Sequence, residues 1–539
     1  MAYEAVWMKD PDKLNKFEFY KIEKDGLDII RDIVEKYAKE GFASIPQEDF
    51  NLFKWAGVYQ QKPNNGHFMM RIRIPGGVLT SAQARVLAGI GRDYGRGLID
   101  VTTRQAIQYH WLEIEQFPDI FDRLASVGMS AVEACGDCPR TIVGNPLVGI
   151  DRDELMDTTP IVDQFEAFFL NNRDFSNLPR KYKMSISANI YNNASAEIQC
   201  LAFTPASKTI DGKEVIGFHA SVGGGLSAKP HLGKQLDMFI LPDECLKVAI
   251  GVTSLFRDHG FREKRHYARL KYLVADWGVE KFQEELVKLI GDMPPRGEDR
   301  VVGWNGSYFD GVHPQKQQGL NYVGLNIPVG RTSSDEFDQL ADLADQYGDG
   351  TIRTTITQNV LLTGVPDDKV DALLAHPLLQ RLTPNPNRFM SRTVSCTGNE
   401  FCNLAIVETK ERARRVAAYL DEHVELDTPV RIHFIGCPNG CGQKHVADIG
   451  LQGSLIKTPE GMIDAFDIAV GGKLGPDAKF NTVLKGRIKG EEVQFGIAKL
   501  IEFYKEQRQA DESFHDFVQR VGVPALQEKW TEIIAAPAA

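Results

Sequence analysis

The feature that most constrains the fold is an internal repeat. The segment MRIRIPGGVLTSAQARVLAGIGRDYGRGLIDVTTRQAIQYHW, which begins at Met70, resembles VGLNIPVGRTSSDEFDQLADLADQYGDGTIRTTITQNVLLTG, which begins at Val323. A constant offset of 253 residues aligns Pro75 with Pro328 without a gap. Self-similarity of this length indicates two copies of one structural unit. We therefore expect a duplicated scaffold whose halves pack about a pseudo-twofold axis.

Both copies carry the same local signals. A short alternating strand and a turn come first, and a capping box follows, with Thr80 and Gln83 in one copy and Ser333 and Glu336 in the other. Apolar residues then recur at helical spacing, and a β-branched strand closes the segment. Each copy is therefore predicted to be a β-α-β unit.

The two copies differ in charge. The first copy has polar and cationic side chains that the second lacks, at Arg71, Arg73, Arg104 and His110. Arg71 and Arg73 are two residues apart, so a strand places both on one face. Arg73 alone could equally be an ordinary surface residue. The joint loss at several aligned positions predicts a pocket on one half of the scaffold.

Length and charge argue against several classes of protein. A chain of 539 residues is too long for one hydrophobic core, which predicts about three domains. A net charge of −11 argues against a broad nucleic-acid surface. No apolar run is long enough to cross a bilayer, and the first residues do not resemble a signal peptide. We expect a cytoplasmic protein with reduced thiols.

Half of the eight cysteines lie between residues 396 and 441. The segment TGNEF separates Cys396 from Cys402, and PNG separates Cys437 from Cys441. Zinc knuckles usually place roughly two to four residues between ligands, so the first pair fits zinc poorly. A reducing compartment disfavours disulfides. Spacing and nearby glycines favour an iron–sulfur cluster, with zinc as the alternative at this point.

These motifs resemble one known family. SCTGNEFCNLAIVETK and GCPNGCGQ are similar to the cluster motif of the siroheme-containing sulfite and nitrite reductases, in their ferredoxin-dependent branch. FMMRIRIPGGVLTSAQ, DVTTRQAIQYH, CGDCPRTIVGNP and NLPRKYK resemble further motifs of that branch, in the same order. The resemblance extends from about Trp55 to beyond residue 470 and includes the repeat.

The resemblance implies two cofactors. A [4Fe–4S] cluster is expected on Cys396, Cys402, Cys437 and Cys441. A siroheme is expected to take its axial iron ligand from Cys441, so that one thiolate couples the two groups. The protein then supplies ligation, electrostatics and protons, while the cofactors carry the redox chemistry.

The resemblance also assigns side chains to an anion pocket. The anion-binding positions are Arg71, Arg140, Lys181 and Lys183, and the siroheme positions are Arg104, Gln108 and Arg180, with His110 and Asn439 added. Arginine stays charged, whereas a lysine can release a proton when its pKa falls. A buried strand histidine is the alternative interpretation of His110.

The remaining cysteines receive more modest predictions. Cys135 and Cys138 lie close to Arg140 in the sequence and are predicted to be small buried side chains, with redox-sensitive thiols as the alternative. Cys200 and Cys245 show no pairing pattern and are predicted to be structural.

The substrate prediction depends on Lys181-Tyr182-Lys183. The family's sulfite reductases have lysine at both ends of this tripeptide, whereas its nitrite reductases typically have asparagine at the second. Sulfite is the larger and more negative anion, so an added cation favours it. We predict assimilatory six-electron reduction of sulfite to sulfide, with reduction of nitrite to ammonia as the alternative. A non-catalytic electron-transfer or complex subunit and a structural zinc protein are the other hypotheses.

The electron donor is expected to be another protein. No G-x-G-x-x-G fingerprint follows a strand, and the resemblance implies ferredoxin and a monomeric enzyme. The segment ETKERARR, residues 408–415, could supply a basic docking patch. A solvated helix face with i,i+4 ion pairs is the equally weighted alternative.

The resemblance implies an α+β fold of three domains, with internally duplicated ferredoxin-like and siroheme-binding halves. LPRKYKMSIS and TPVRIHFIGC show a weaker match that is consistent with a second duplication. The expected division is a wrapping segment (1–65), a first ferredoxin-like half (66–132), a siroheme and anion domain (133–319), a second ferredoxin-like half (320–390) and a cluster and siroheme domain (391–539).

Overall fold

The computed structural model describes Met8 and residues 11–459 and 461–536, and the first residues, on which the signal-peptide prediction depends, lie largely outside this range. Helices and strands are mixed along the described chain, which confirms the α+β class. The strands are β1 (Val58–Gln60), β2 (Phe68–Ile72), β3 (Val78–Thr80), β4 (Leu98–Val101), β5 (Ile107–Leu112), β6 (Val143–Gly144), β7 (Met184–Ile186), β8 (Leu201–Ile210), β9 (Lys213–Val222), β10 (Lys234–Gln235), β11 (Glu298–Asp299), β12 (Gly311–Pro314), β13 (Leu320–Leu325), β14 (Arg331–Ser333), β15 (Thr351–Thr354), β16 (Val360–Pro366), β17 (Thr393–Ser395), β18 (Ile432–Ile435), β19 (Ile449–Thr458), β20 (Gly461–Val470) and β21 (Thr482–Lys489).

The α-helices range from one turn to four turns. They are α1 (Lys16–Glu23), α2 (Ile29–Asp32), α3 (Ala38–Glu40), α4 (Asp49–Leu52), α5 (Ser81–Asp93), α6 (Phe117–Ser126), α7 (Thr159–Phe169), α8 (Cys245–His259), α9 (Leu270–Trp277), α10 (Val279–Ile290), α11 (Ser334–Tyr347), α12 (Val370–Leu374), α13 (Leu378–Arg381), α14 (Arg388–Ser391), α15 (Lys410–His423), α16 (Val493–Gln507), α17 (Phe514–Val521) and α18 (Val523–Ala535). Among the described residues, no helix combines the length and the apolar character that a membrane crossing requires.

The two copies of the repeat exchange strands. One sheet has the order β1-β2-β5-β4-β14 and the other β12-β13-β16-β15-β3, so each copy completes the sheet of its counterpart. Arg331 pairs with Asp100 and Val78 pairs with Arg353, and the offset of 253 converts one pair into the other. Both predicted capping boxes form, at the starts of α5 and α11. The pseudo-twofold duplication is therefore confirmed.

A second duplication relates the other two sheets. Their orders are β10-β9-β8-β7-β6, with β11 beside β8, and β17-β18-β19-β20-β21. In both sheets two parallel strands lead into a long antiparallel hairpin. An offset of 248 carries the pair Leu201 and Val222 onto Ile449 and Val470. LPRKYKMSIS and TPVRIHFIGC thus contain the equivalent strands β7 and β18, although their prolines align at an offset of 250 rather than 248.

Three large hydrophobic cores hold the molecule together. The first combines the N-terminal helices with both copies of the repeat, the second lies between β7–β9 and helices α7–α10, and the third between β18–β21 and helices α15–α18. Residues 66–132 and 320–390 share one core because β3 and β14 are exchanged. Trp55 Nε1 donates to Ser176 O at 2.7 Å and ties the N-terminal segment to the second core. We propose the domain boundaries given above on this basis.

Gly324 explains why the second copy has no counterpart of Arg71. A Cβ at this position would lie 1.7 Å from the carbonyl oxygen of Phe309. We expect Gly324→Ala to destabilise the protein by about 1–3 kcal/mol, because backbone must move to make room. Thermal unfolding would measure this. Gly89→Ala in α5, where the nearest atom is 3.9 Å away, is the control and should not lower Tm. Equal Tm values for both variants would contradict the explanation.

Candidate active site

The two cysteine pairs lie on loops that leave the same edge of one sheet. Cys396 follows β17 and Cys437 follows β18, and these strands are parallel neighbours. The amide of Gly436 donates to Cys396 Sγ at 3.2 Å. Asn439 Nδ2 donates to Cys437 Sγ at 3.6 Å. The fold therefore brings together two motifs that are distant in sequence.

The thiols share one electrostatic environment. Burial, and then the charge of Cys441, raise the pKa of Cys396 to about 12. Burial also raises the pKa values of Cys402 and Cys437, and the charge of Cys441 adds to both. Cys441 itself is exposed. Mutual repulsion of this kind is relieved when thiolates bind a metal centre, which deprotonates them.

This donor set fits an iron–sulfur cluster. Across the described part of the chain, no three His, Cys, Asp or Glu side chains converge closely enough to hold a single metal ion. A four-iron cubane is larger than one ion and keeps its ligands farther apart. Four thiolates with amide donors beside the sulfurs are the ligands that such a cluster requires.

The duplication explains why only one half holds these ligands. At the offset of 248, Cys437 and Cys441 correspond to Asn189 and Asn193, both buried. Asn189 Nδ2 donates to Asp151 Oδ2 at 2.6 Å, and Asn193 Nδ2 lies 3.5 Å from an asparagine oxygen. In the first half, amide hydrogen bonds replace the thiolates.

Arg71, in the first copy of the repeat, is connected through Gln108 to the loop that begins at Cys396. It is on β2, opposite Gln108 on β5, and its Nη2 donates to Gln108 Oε1 at 2.9 Å. Gln108 Nε2 donates to Thr397 Oγ1 at 3.1 Å, next to Cys396. Arg71 Nη1 donates to Cys135 Sγ at 3.4 Å. The sequence-predicted residues Arg71 and Gln108 are thus in contact with each other.

Arg104 and Arg140 are held by neutral acceptors. Arg104 lies in the turn between β4 and β5 and donates to Gln199 Oε1 at 3.1 Å and to Thr141 O at 2.7 Å. Arg140 donates to Gly136 O at 2.9 Å. Burial, and then the charges of Arg140 and Arg71, lower the pKa of Arg104 to about 9. These guanidinium groups therefore face one another.

Lys181 and Lys183 point away from the second core. Tyr182 between them is buried, with its ring 5.7 Å from that of Phe256, so strand alternation directs the lysines to the opposite side. Neither lysine forms a side-chain hydrogen bond or salt bridge with any described residue. Burial, and then Arg140, lower the pKa of Lys181 to about 7. Burial, and then Arg104, lower that of Lys183 well below its ordinary value.

Two further cations in this region were not predicted from the sequence. Arg269 Nη2 donates to Cys200 Sγ at 3.4 Å, and Lys271 Nζ donates to Leu226 O at 3.0 Å. Both side chains are buried. The signal in the sequence was the spacing R-x-K in ARLKY, which resembles that of Lys181 and Lys183.

The structure thus contains a group of cations, here called the cation cluster, whose members form no salt bridge with any described carboxylate. Its members are Arg71, Arg104, Arg140, Lys181, Lys183, Arg269 and Lys271. Burial, and then neighbouring positive charges, lower the pKa values of Arg104, Lys181, Lys183 and Lys271. Arg140, Arg269 and Lys271 are buried and the other four are half-buried, and clustered like charges removed from water are costly without anionic partners. Siroheme carries eight carboxylates, so the cation cluster fits this cofactor together with a small anion.

Some predicted residues have partners of their own. Arg180 Nη1 lies 3.2 Å from Asp137 Oδ1, and Asp137 also pairs with Arg265 at 2.7 Å. Arg180 therefore borders the cation cluster as part of an ion pair. Arg73 is buried and pairs with Glu166, so it is neither a surface residue nor a member of the cluster.

His110 packs against the loop that connects Cys396 and Cys402. It is 1% exposed, with Nε2 3.4 Å from Asp100 Oδ2 and 3.2 Å from Gln108 Nε2. Its ring stacks on that of Phe401, with 3.9 Å between the ring centroids, and Phe401 lies between Cys396 and Cys402 in the sequence. The structure places the remaining small thiols, Cys135 and Cys138, in buried positions.

The cation cluster makes stability depend on pH. Because the folded-state pKa of Lys181, about 7, lies below its ordinary 10.5, the unfolded chain binds more protons between these values. The cofactor-free protein should therefore gain stability as pH rises from 7 to 9. Bound carboxylates raise these pKa values again, so the holoprotein should gain less. Tm values at pH 7, 8 and 9 test this, with Lys181→Met as the control. Parallel pH profiles for the two forms would contradict it.

Comparison with known proteins places this geometry in a family. The model "Nitrite and sulphite reductase 4Fe-4S domain" matches residues 135–291 and 388–535. The model "Nitrite/Sulfite reductase ferredoxin-like half domain" matches residues 59–127 and 313–379. The second match occurs once in each copy of the repeat.

Individual relatives match over nearly the whole chain. An assimilatory ferredoxin-dependent nitrite reductase of Haloferax mediterranei is 39% identical over 93% of this chain and 91% of its own. A sulfite reductase [ferredoxin] of Mycolicibacterium paratuberculosis is 35% identical and covers 97% and 98%. The structure of Mycobacterium tuberculosis NirA aligns with a TM-score of 0.91 and 34% identity, over 97% and 99%. The chain therefore belongs to the nitrite and sulphite reductase family, as an oxidoreductase whose cofactors are a siroheme and a [4Fe–4S] cluster.

Proposed function

We propose that the protein reduces a small oxyanion by six electrons, with sulfite as the first candidate and nitrite as the second. The observation that carries this proposal is the cation cluster beside Cys441. A pocket with unpaired lysines and arginines binds an anion strongly once water is excluded. A non-catalytic subunit would not need two lysines without partners.

We assign the residues as follows. Cys396, Cys402, Cys437 and Cys441 would hold the iron–sulfur cluster, and Cys441 would also hold the siroheme. Arg104 and Arg269 of the cation cluster would bind the siroheme carboxylates. Gln108 supports Arg71 in this pocket, while Arg180, His110 and Asn439 support the surrounding loops. When bound, the two cofactors supply the electron transfer.

The protein itself binds the anion and supplies protons. Arg71 and Arg140 offer charged donors to the oxygen atoms of the substrate. Lys181 Nζ, with a pKa lowered to about 7, can release a proton near neutral pH and regain it from solvent. Lys183 adds charge next to it. Each reduction step needs both electrons and protons, and these lysines are suited to deliver the protons.

Two observations bear on the choice between sulfite and nitrite, and each favours a different anion. Two lysines without partners favour sulfite, the more negative anion. The relatives from Haloferax mediterranei and Synechococcus elongatus, at 39% and 40% identity, are named nitrite reductases, which favours nitrite. We place sulfite first because this argument depends on side chains of this chain.

Lys183→Asn tests that order. If Lys183 selects the more negative anion, the substitution should lower kcat/KM for sulfite by about ten-fold and change that for nitrite less. Steady-state assays of the reconstituted holoenzyme with both anions measure the ratio. Dominant nitrite activity in the parent protein, together with an unchanged ratio in the variant, would show that nitrite is the substrate.

We propose ferredoxin as the electron donor, because relatives are named as ferredoxin-dependent enzymes. The segment 408–415 offers less free charge than its sequence suggests, since Arg414 and Arg415 both pair with Glu411 and Lys410 is buried. Leu404 and Ile406 are exposed beside Cys402. We propose that the donor meets a surface that includes the apolar side chains of Leu404 and Ile406. We also propose that the enzyme works as a monomer in the cytoplasm.

One spectrum tests the whole assignment. The reconstituted protein should show siroheme bands and a broad cluster absorption, and reduced ferredoxin should support turnover of at least one of the two anions. A colourless protein after reconstitution with iron, sulfide and siroheme would contradict the assignment.

A further inference from the structure

Cys200 occupies the position that Asp448 occupies in the other half of the second duplication. The amide of Cys200 donates to Lys183 O at 2.9 Å. Its carbonyl accepts from Gly223 at 2.9 Å, as that of Asp448 accepts from Gly471 at 2.8 Å. Both residues immediately precede the long hairpin strand, and the offset of 248 relates them. The two backbones are therefore equivalent here.

The side chains at this position differ in charge. Asp448 forms a two-pronged salt bridge with Arg431, with Nε–Oδ2 and Nη2–Oδ1 distances of 2.8 and 2.7 Å. Arg431 is the counterpart of Lys183 at the same offset. In one half, the carboxylate of Asp448 thus neutralises Arg431, the cation that immediately precedes β18. In the other half, Lys183 has no such partner among the described residues.

The thiol of Cys200 contacts the cation cluster through Arg269, without the permanent negative charge that a carboxylate would bring. It is fully buried, and Sγ accepts a hydrogen bond from Arg269 Nη2 at 3.4 Å. Burial acts to raise the pKa of Cys200, but Arg269 and Lys183 lower it below its ordinary value, which agrees with cations facing the sulfur. A thiol is a weak acceptor, so it orients Arg269 and leaves most of its charge available.

We propose that Cys200 is a positioning residue that keeps Lys183 and Arg269 available to bound anions, because it replaces the carboxylate that the duplicated position carries. This inference rests on the proposed anion-binding role of Lys183. A carboxylate at this point would pair with the two cations in a site of low dielectric and compete with the substrate. Cys200 need not contact the substrate to have this effect.

The test is Cys200→Asp in the holoenzyme. We expect KM for sulfite and nitrite to rise about ten-fold or more, with a smaller change in kcat, while siroheme and cluster absorption are retained. Cys200→Asn has nearly the shape of aspartate without its charge and should raise KM far less. Equal KM values for the Asp variant and the parent, or equal increases for the Asp and Asn variants, would overturn the proposal.

A second variant covers the case in which the single Asp variant does not fold. Cys200→Asp combined with Lys183→Arg copies the Arg431–Asp448 pair of the other half, so the new carboxylate has a partner. Its KM should exceed that of Lys183→Arg alone by about ten-fold. Equal KM values would contradict the inference. Lys183→Asn tests the role of Lys183 independently of Cys200. If this variant leaves KM unchanged for both anions, the proposed anion-binding role of Lys183 is wrong, irrespective of the results for the Cys200 variants.

Discussion

Replacement of Cys441 by alanine should remove most of the bound iron and all siroheme absorption from the purified protein, and reduce turnover below detection. Cys441 is the thiol whose charge affects Cys396, Cys402 and Cys437. It is exposed, and its charge also acts on Lys181 and Lys183 of the cation cluster. If it ligates both cofactors, its loss weakens both. Iron analysis and the visible spectrum measure the effect independently of activity.

The fold around Cys441 should survive this substitution. Its backbone carbonyl accepts a hydrogen bond from Thr103 Oγ1 at 2.9 Å, and Gln443 Nε2 donates to Thr103 O at 3.4 Å. These contacts hold the loop without the thiol. Circular dichroism should therefore show a folded protein that lacks cofactors.

Two further cysteine variants serve as comparisons for Cys441→Ala. Cys437→Ala should lose cluster iron but keep more siroheme than Cys441→Ala, because the proposed axial ligand remains. Cys245→Ala, at the buried start of α8, should keep both cofactors and lose only about 1 kcal/mol of stability. Full iron and siroheme in Cys441→Ala would rule out its bridging role.

The sequence predicted the first duplication because its two copies align without a gap. The exchange of β3 and β14 was not predictable, since a strand pattern identifies strands but not their partners. The second duplication retains few identical residues, among them Val222 with Val470 and Gly223 with Gly471. Interior positions require matching volume and backbone conformation rather than identical residues. The duplication is therefore visible in the topology, although little of it remains in the sequence.

The sequence predicted those site residues that lie within short motifs. It missed residues, or their ion pairs, where the interaction partner is distant in the sequence. Arg269 was missed because a basic residue before a helix normally lies on the surface. Arg180 was assigned to siroheme, but its charge is shared with Asp137, a partner 43 residues away. The decisive property of the cation cluster, the lack of carboxylate partners, depends on tertiary packing and cannot be read from any one motif.

Lys181→Met should reduce kcat/KM for the preferred anion by about 100-fold. Truncating one member of a desolvated charge pair costs about 2–5 kcal/mol, and each 1.4 kcal/mol is about a factor of ten. Methionine keeps the apolar stem of the side chain, so packing changes little. Lys247→Met, an exposed lysine on α8, is the control and should behave as the parent. A value within about two-fold of the parent for Lys181→Met would contradict its role.

Lys181→Arg separates charge from proton supply. Arginine restores the positive charge but does not release its proton near neutral pH, so this variant should recover most of the affinity and little of kcat. Bound carboxylates in the holoenzyme raise the pKa of Lys181 above its cofactor-free value of about 7. In the parent, kcat should therefore show an alkaline limb, falling as pH rises through this higher pKa, because Lys181 loses the proton that it donates. The Arg variant should lack the limb. If Arg restores kcat as well as KM, Lys181 acts through charge alone, and the protons of the reaction come from another group.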